Sequence, residues 1–223
     1  MKLSAIQKMM RAAACLNHGG KMKNVISIST SPFNPICDAR AAVPNSICAH
    51  CFSRRMMKVY RALDAKLRRN AEWLSTTEIQ PADVYHFKPK SGYFRFEAFG
   101  DLFSTLQVKN YFTIAAELER DGIRCALWTK NPQVIKHAIE EYGLVKPSNL
   151  NIIFSVAGLN SDAAAMIYEA LHDNGYDFID KVFTVFDADH AENVHINCGA
   201  RDCAKCGLCY NKNGVVFINE KLK

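Results

Sequence analysis

The sequence predicts a mixed α/β fold, a partial (β/α) barrel of the TIM-barrel type with roughly six mostly parallel strands and a C-terminal cysteine-rich knuckle. Two observations support this prediction. Short apolar segments alternate with helical segments through most of the chain, and cysteines concentrate near both ends. Continuous apolar strands separated by helices favour a parallel sheet that is buried on both faces. A complete eightfold barrel usually needs a longer chain, and a doubly wound open sheet is the alternative.

The expected elements follow from local spacing and composition. Residues 4–16 have helical spacing, VISIST at 25–30 is rich in β-branched residues and predicts a strand, and 51–73 has helical spacing again. Further strands are expected at 93–100, 123–129, 150–156, 181–187 and 214–219, with helices at 106–119, 132–142 and 163–172.

Composition indicates one large globular domain, or a core with a small appendage. The chain has 223 residues, of which 49% are hydrophobic and 22% charged. We expect a barrel over residues 1–195 and a cluster-binding segment over 196–223 packed on it. The N-terminus lacks the apolar core of a secretion signal and no transmembrane segment is apparent, so a cytoplasmic location without a membrane partner is expected. Reduced cysteines in that compartment favour metal ligation over disulfides.

The C-terminal cysteines give the strongest signal. Cys198, Cys203, Cys206 and Cys209 have the spacing C-x4-C-x2-C-x2-C. Four thiolates suit either zinc or a four-iron cluster. Zinc knuckles usually present two separated C-x2-C pairs, whereas consecutive x2 spacings are typical of ferredoxin-type loops. The pattern therefore favours a [4Fe-4S] cluster, with zinc as the alternative.

A second cysteine group follows the first long strand. Cys37, Cys48 and Cys51 have the spacing C-x10-C-x2-C. Three thiolates would leave one iron of a second cluster open to a small molecule such as S-adenosylmethionine. Radical enzymes that use this cofactor have C-x3-C-x2-C at the corresponding place, so the position agrees and the first spacing differs. Cys15 and Cys125 stand alone in apolar surroundings and are expected to be buried.

Polar residues recur where the predicted strands end, which is where parallel α/β folds gather their reactive groups. The candidate catalytic residues are Glu97, Asp101 and Lys130, and the candidate cofactor-binding residues are Gly100, Thr129, Asn131 and Ser155. Helix capping or turn formation is the alternative role for each, as at Asn131-Pro132.

A basic stretch covers residues 54–69, which carry seven Lys and Arg. A solvated helix face is the favoured interpretation of this run. Contact with nucleic-acid phosphates is the alternative, and it is not favoured.

The sequence resembles the phage gene product 88 family over most of residues 20–218. The similarity rests on four segments in the same order, GKMKNVISISTSPFNPICDARAAVPNSICAHCFS, FRFEAFGDLFS, ALWTKNP and CAKCGLCY. Such proteins look like shortened relatives of radical S-adenosylmethionine barrels. The resemblance implies a phage origin and places the loop from Glu97 to Asp101 where those barrels bind the methionine amino group.

These observations predict an iron-sulfur protein with one or two [4Fe-4S] clusters. We expect a redox or radical S-adenosylmethionine-like enzyme that acts with a small-molecule substrate or an electron donor. The alternatives are a zinc-containing nucleic-acid-binding protein, and a structural or oxygen-sensing cluster protein without catalysis.

Overall fold

The structure is a computed structural model that describes residues 3–16, 20–199, 202–212 and 214–222. Seven strands form one sheet in chain order: β1 Cys15–Leu16, β2 Ile26–Ile28, β3 Tyr93–Phe96, β4 Arg124–Thr129, β5 Leu150–Leu159, β6 Lys181–Phe186 and β7 Phe217–Lys221. β1 is antiparallel to β2, and all other neighbours are parallel. The α/β class is confirmed. The described strands do not close into a barrel, because β1 and β7 form two separate edges.

The helices flank this sheet: α1 Ala5–Ala13, α2 Pro35–Ala41, α3 Phe52–Val59, α4 Arg61–Thr76, α5 Thr105–Arg120, α6 Pro132–Tyr142, α7 Ala164–Asp173 and α8 Cys203–Cys206. Buried residues of α1, α4, α5 and α6 share one core with alternate residues of the strands, among them Phe94 and Leu127. Successive side chains of a strand point to opposite faces, so these alternate residues all lie on one face of the sheet. That face packs on the helices. None of the described helices is long and apolar enough to span a membrane.

The opposite face of the sheet is covered by the C-terminal segment. Tyr210 belongs to a second core with Ala126 and Ile153. Its ring stacks on that of Tyr93, with centroids 4.4 Å apart and planes 6° from parallel. Asn151 Nδ2 donates a 3.0 Å hydrogen bond to the Cys209 carbonyl. The C-terminal cysteines are thereby held against the sheet face that carries no helices of the main core.

Several elements differ from the sequence prediction. Residues 15–16 form β1 rather than the end of the first helix. The helix predicted over 51–73 is two helices, interrupted at Tyr60, whose φ of −99° and ψ of 76° are not helical. α2 was not predicted, although Asn34 accepts a hydrogen bond from the Cys37 N–H as an N-cap and Pro35 follows it.

Candidate functional site

Glu97 is the centre of a buried hydrogen-bond network at the end of β3. Its carboxylate accepts hydrogen bonds from Thr30 N at 3.1 Å, Gln107 Nε2 at 2.7 Å and Tyr111 Oη at 2.5 Å. Burial raises the pKa of Glu97 to about 7, and the charge of Asp101 adds to this, although the donors oppose it. Glu97 also has a positive φ of 52°, which is rare outside glycine and occurs mainly at constrained sites.

Asp101 joins three chain segments. Its carboxylate accepts from Thr129 Oγ1 at 2.6 Å, from Lys130 N at 3.0 Å and from Arg40 Nη1 at 3.2 Å. The second guanidinium nitrogen, Arg40 Nη2, donates to the Lys130 carbonyl at 2.7 Å and to Asn131 Oδ1. Because Arg40 lies between Cys37 and Cys48 in sequence, it fastens the cysteine loop to the ends of β3 and β4.

Three of the candidate cofactor-binding residues have structural roles in these networks. A Cβ on Gly100 would lie 2.4 Å from Thr30 Oγ1, so only glycine allows this approach of the two loops. Thr129 holds Asp101, and Asn131 Nδ2 donates to the Leu102 carbonyl at 2.7 Å. Ser155 is buried on β5 and takes no part in these networks among the described residues.

The N-terminal cysteines lie beside these strand ends. Cys37 is in α2, Cys48 is in a turn, and Cys51 is the N-cap of α3. The turn is attached to the end of β5, since Ile47 N donates to the Ala157 carbonyl at 2.9 Å. The loop is therefore anchored on both β4 and β5.

The thiols of the N-terminal set lie close enough for their charges to interact. The charge of Cys48 interacts with those of Cys37 and Cys51, and also with that of Lys130. Burial raises the pKa of Cys37 to about 12, and the charge of Asp101 contributes, whereas a 3.4 Å hydrogen bond from Asn34 Nδ2 opposes the shift. Cys37 and Cys48 therefore lie in the same region as Asp101, and Cys48 also lies near Lys130. Their role as cluster ligands stays a prediction.

The four C-terminal cysteines line one small recess together with Lys21, Leu208 and Tyr210. These cysteines are Cys198, Cys203, Cys206 and Cys209. Lys21 Nζ donates hydrogen bonds to Cys198 Sγ and to the Cys198 carbonyl, both at 3.1 Å. The same ammonium forms an ion pair with Glu220 at 2.7 Å. Four thiols and one fixed cation therefore share a single recess.

Burial and nearby positive charge shift the pKa values of these thiols in opposite directions. Burial raises the pKa of Cys203 and raises that of Cys209 to about 12, whereas the Arg95 guanidinium lowers both. Arg95 lies over the ring of Trp128, 4.4 Å from its centroid. Arg95 and Lys21 thus place two positive charges beside groups that must lose protons before they can bind a metal.

Within the described part of the chain, no three His, Cys, Asp or Glu side chains are arranged to hold a metal ion. The remaining cysteines lie apart from both sets. Cys125 is fully buried in the helix-side core, and Cys15 in β1 is half-buried.

Sequence reasoning missed Arg40, Lys21, Gln107 and Tyr111. The last two had a detectable signal, because they are four residues apart and continue the apolar stripe of Ile114 and Leu118 on the predicted helix. A glutamine in such a stripe needs a buried partner, which is Glu97 here. Arg40 and Lys21 carry no comparable pattern.

Comparison with known proteins places the chain in a family. No curated protein and no solved structure matches it. The family model described as Gene product 88 matches residues 4–221, which is nearly the whole sequence. The chain therefore belongs to the gene product 88 family.

Proposed function

We propose that this protein is an iron-sulfur protein in which Cys198, Cys203, Cys206 and Cys209 hold a [4Fe-4S] cluster. The supporting observation is the recess that these four thiols line together with Lys21. The donor set fits the group, because a cubane takes four thiolates and the ligated cluster is negatively charged. The ammonium of Lys21 and the guanidinium of Arg95 offset that charge.

The spacing of the cysteines supports a cluster over zinc. Cys203, Cys206 and Cys209 follow one another at consecutive x2 spacings, which are typical of ferredoxin-type loops. A structural zinc site usually takes its four ligands from two separated pairs.

The N-terminal set would hold a second cluster and give the protein an enzymatic role of redox or radical type. When bound there, a cluster with one iron free of protein thiolate would supply an electron and a position for a small molecule such as S-adenosylmethionine. Arg40 keeps Asp101 and the backbone at Lys130 against the cysteine loop. The Lys130 ammonium, next to Cys48, would orient an anionic group such as a carboxylate.

The fold supports this proposal. The strand order follows the chain without reversal, and one face of the sheet packs on helices, as in a partial (β/α) barrel. The strand ends that carry Glu97 and Asp101 correspond to the catalytic face of such barrels. A phage-encoded enzyme of this kind would act in the cytoplasm of the bacterial host.

Metal and sulfide analysis of protein purified without oxygen tests the proposal. We expect about four to eight irons per chain with matching sulfide, as one or two cubanes require. Zinc at one equivalent with negligible iron would contradict it.

The enzymatic part has its own test. Addition of S-adenosylmethionine should change the electron paramagnetic resonance spectrum of the reduced protein, and Lys130→Ala should weaken the change. If S-adenosylmethionine does not change the spectrum, the enzymatic part is wrong, and the cluster would serve in electron transfer or sensing.

A further inference from the structure

The positive charge of the chain is concentrated in one segment. Residues 52–69 contain seven Lys and Arg and one Asp, a net charge of +6. The whole chain also has a formal net charge of +6, so the remaining residues are neutral on balance. Such asymmetry is typical of a surface that binds a polyanion.

Three of these cations have partners within the described structure. Arg54 pairs with Asp38 at 2.7 Å, Arg68 pairs with Asp64 at 3.1 Å, and Lys66 donates to the Ala14 carbonyl at 2.6 Å. Four other cations of the segment are exposed and make no ion pair with the described carboxylates; these are Arg55, Lys58, Arg61 and Arg69.

Exposed aromatic rings accompany these free cations. Phe52 is 54% exposed and Tyr60 is 57% exposed, which is unusual for rings of this size. Phe52 and Arg55 are one helical turn apart on α3, and Tyr60 and Arg61 follow at the junction with α4. The surface therefore alternates aromatic faces with positive charges.

We propose that this surface, formed by Phe52, Arg55, Lys58, Tyr60 and Arg61, binds single-stranded nucleic acid. The cations would neutralise phosphates, and the rings would stack on bases that a single strand leaves accessible. A duplex would leave the rings without a partner. Val59, between Lys58 and Tyr60, is also exposed, so an anionic lipid surface is the competing occupant, and vesicle binding distinguishes the two.

The surface adjoins the N-terminal cysteines. Phe52 follows Cys51 directly, and its ring lies 6.2 Å from that of Phe99 in the loop between Glu97 and Asp101. A strand bound here would pass beside the candidate active site. Binding itself does not depend on the clusters, but the idea that the bound strand is also the substrate rests on the proposed function.

Fluorescence anisotropy with labelled oligothymidine, across a salt series, tests the proposal on anaerobically purified protein. The variant Arg55→Gln/Lys58→Gln/Arg61→Gln should lower affinity at least about tenfold and reduce the salt slope by about 2, which corresponds to three lost phosphate contacts on a single strand. The control Lys8→Gln/Lys88→Gln/Lys90→Gln removes the same charge from exposed lysines elsewhere and should change affinity little. Equal losses in both variants would overturn the site.

The aromatic contribution is measured separately. Phe52→Ala/Tyr60→Ala leaves the charge unchanged and should lower affinity by about tenfold or more, since each stacked base contributes about 1–3 kcal/mol. No effect of this variant, equal affinity for a duplex, or binding to anionic lipid vesicles instead of the oligonucleotide would each overturn the proposal. Thermal unfolding serves as the check that every variant is folded like the parent protein.

Discussion

Tyr111 donates a 2.5 Å hydrogen bond to the buried carboxylate of Glu97, and this contact ties the middle of α5 to the end of β3. Gln107, one turn earlier on α5, donates to the same carboxylate at 2.7 Å. Glu97 adopts a left-handed backbone conformation with φ of 52°, which ends the strand and turns the side chain into this network. A buried carboxyl group thus determines where the loop that carries Asp101 begins.

Glu97 should make the protein less stable as pH rises. Its pKa in the fold is about 7, against an ordinary value of 4.5. Between these values the folded state holds a proton that the unfolded state releases. The contribution of this group is therefore fully present below pH 4.5 and is lost as pH rises through 7. The free-energy change across this window is on the order of 3 kcal/mol.

Urea unfolding of parent protein and Glu97→Gln, from about pH 5 to about pH 8, measures this effect. The parent should lose stability relative to the variant as pH rises, because glutamine does not ionise. Glu72→Gln on the exposed face of α4 is the control and should follow the parent. Parallel pH profiles for parent and Glu97→Gln would show that Glu97 is ionised throughout.

Gly100→Ala should destabilise the strand-end loops. The added methyl group would lie 2.4 Å from Thr30 Oγ1 and 2.7 Å from the Thr30 carbonyl oxygen, so Thr30 must move away from Glu97. Overpacking of this kind costs about 1–3 kcal/mol in unfolding free energy. Gly158→Ala is a matched control, because a Cβ at Gly158 meets nothing within 4 Å. Similar thermal unfolding of both variants would argue against close packing at Gly100.

The α/β class and the central strands were predictable, because β4 and β6 are continuous apolar segments buried on both faces. Elements that depend on tertiary contacts were not predictable. β1 has only two residues and exists through pairing with β2. The break at Tyr60 has no proline or glycine to mark it, and residues on either side keep helical spacing. The open sheet likewise depends on which edges pair, which local patterns do not encode.

For the site, spacing located the groups and packing determined their roles. The cysteine pattern singled out Cys48, and strand-end position singled out Asp101 and Lys130; in the structure the charge of Cys48 interacts with both of these residues. The sequence could not show that the Asp101 carboxylate already accepts hydrogen bonds from Thr129 and Arg40, since these contacts join segments far apart in the chain. Asp101 therefore acts through the loops it holds rather than as a free acceptor.

The two cysteine sets should lose iron independently if each holds a cluster. Cys203→Ala and Cys48→Ala are each expected to lower iron and sulfide per chain by about half, measured after anaerobic purification. Cys125→Ala removes a thiol from the helix-side core, and Cys15→Ala removes a half-buried one from β1, so both should retain full iron. Complete iron loss from Cys203→Ala with none from Cys48→Ala would indicate one cluster, and equal loss in all four variants would contradict the division of the cysteines.

Lys21 should raise the reduction potential of the C-terminal cluster. Its ammonium donates a 3.1 Å hydrogen bond to Cys198 Sγ, and such donors favour the reduced, more negative cluster. Lys21→Met is therefore expected to lower the potential by on the order of 50 mV, the equivalent of about 1 kcal/mol for one electron. A redox titration followed by electron paramagnetic resonance measures this shift at unchanged iron content.

Lys205→Met separates the hydrogen bond from general electrostatics. Lys205 lies in α8 between two of the same cysteines, is exposed, and makes no hydrogen bond to Cys198 among the described contacts. Its removal takes away the same charge from the same segment, but solvent screens an exposed charge strongly. The potential should therefore shift much less than in Lys21→Met. If the two variants shift the potential equally, the contact between Lys21 and Cys198 has no specific effect, and the recess would influence the cluster only through its net charge.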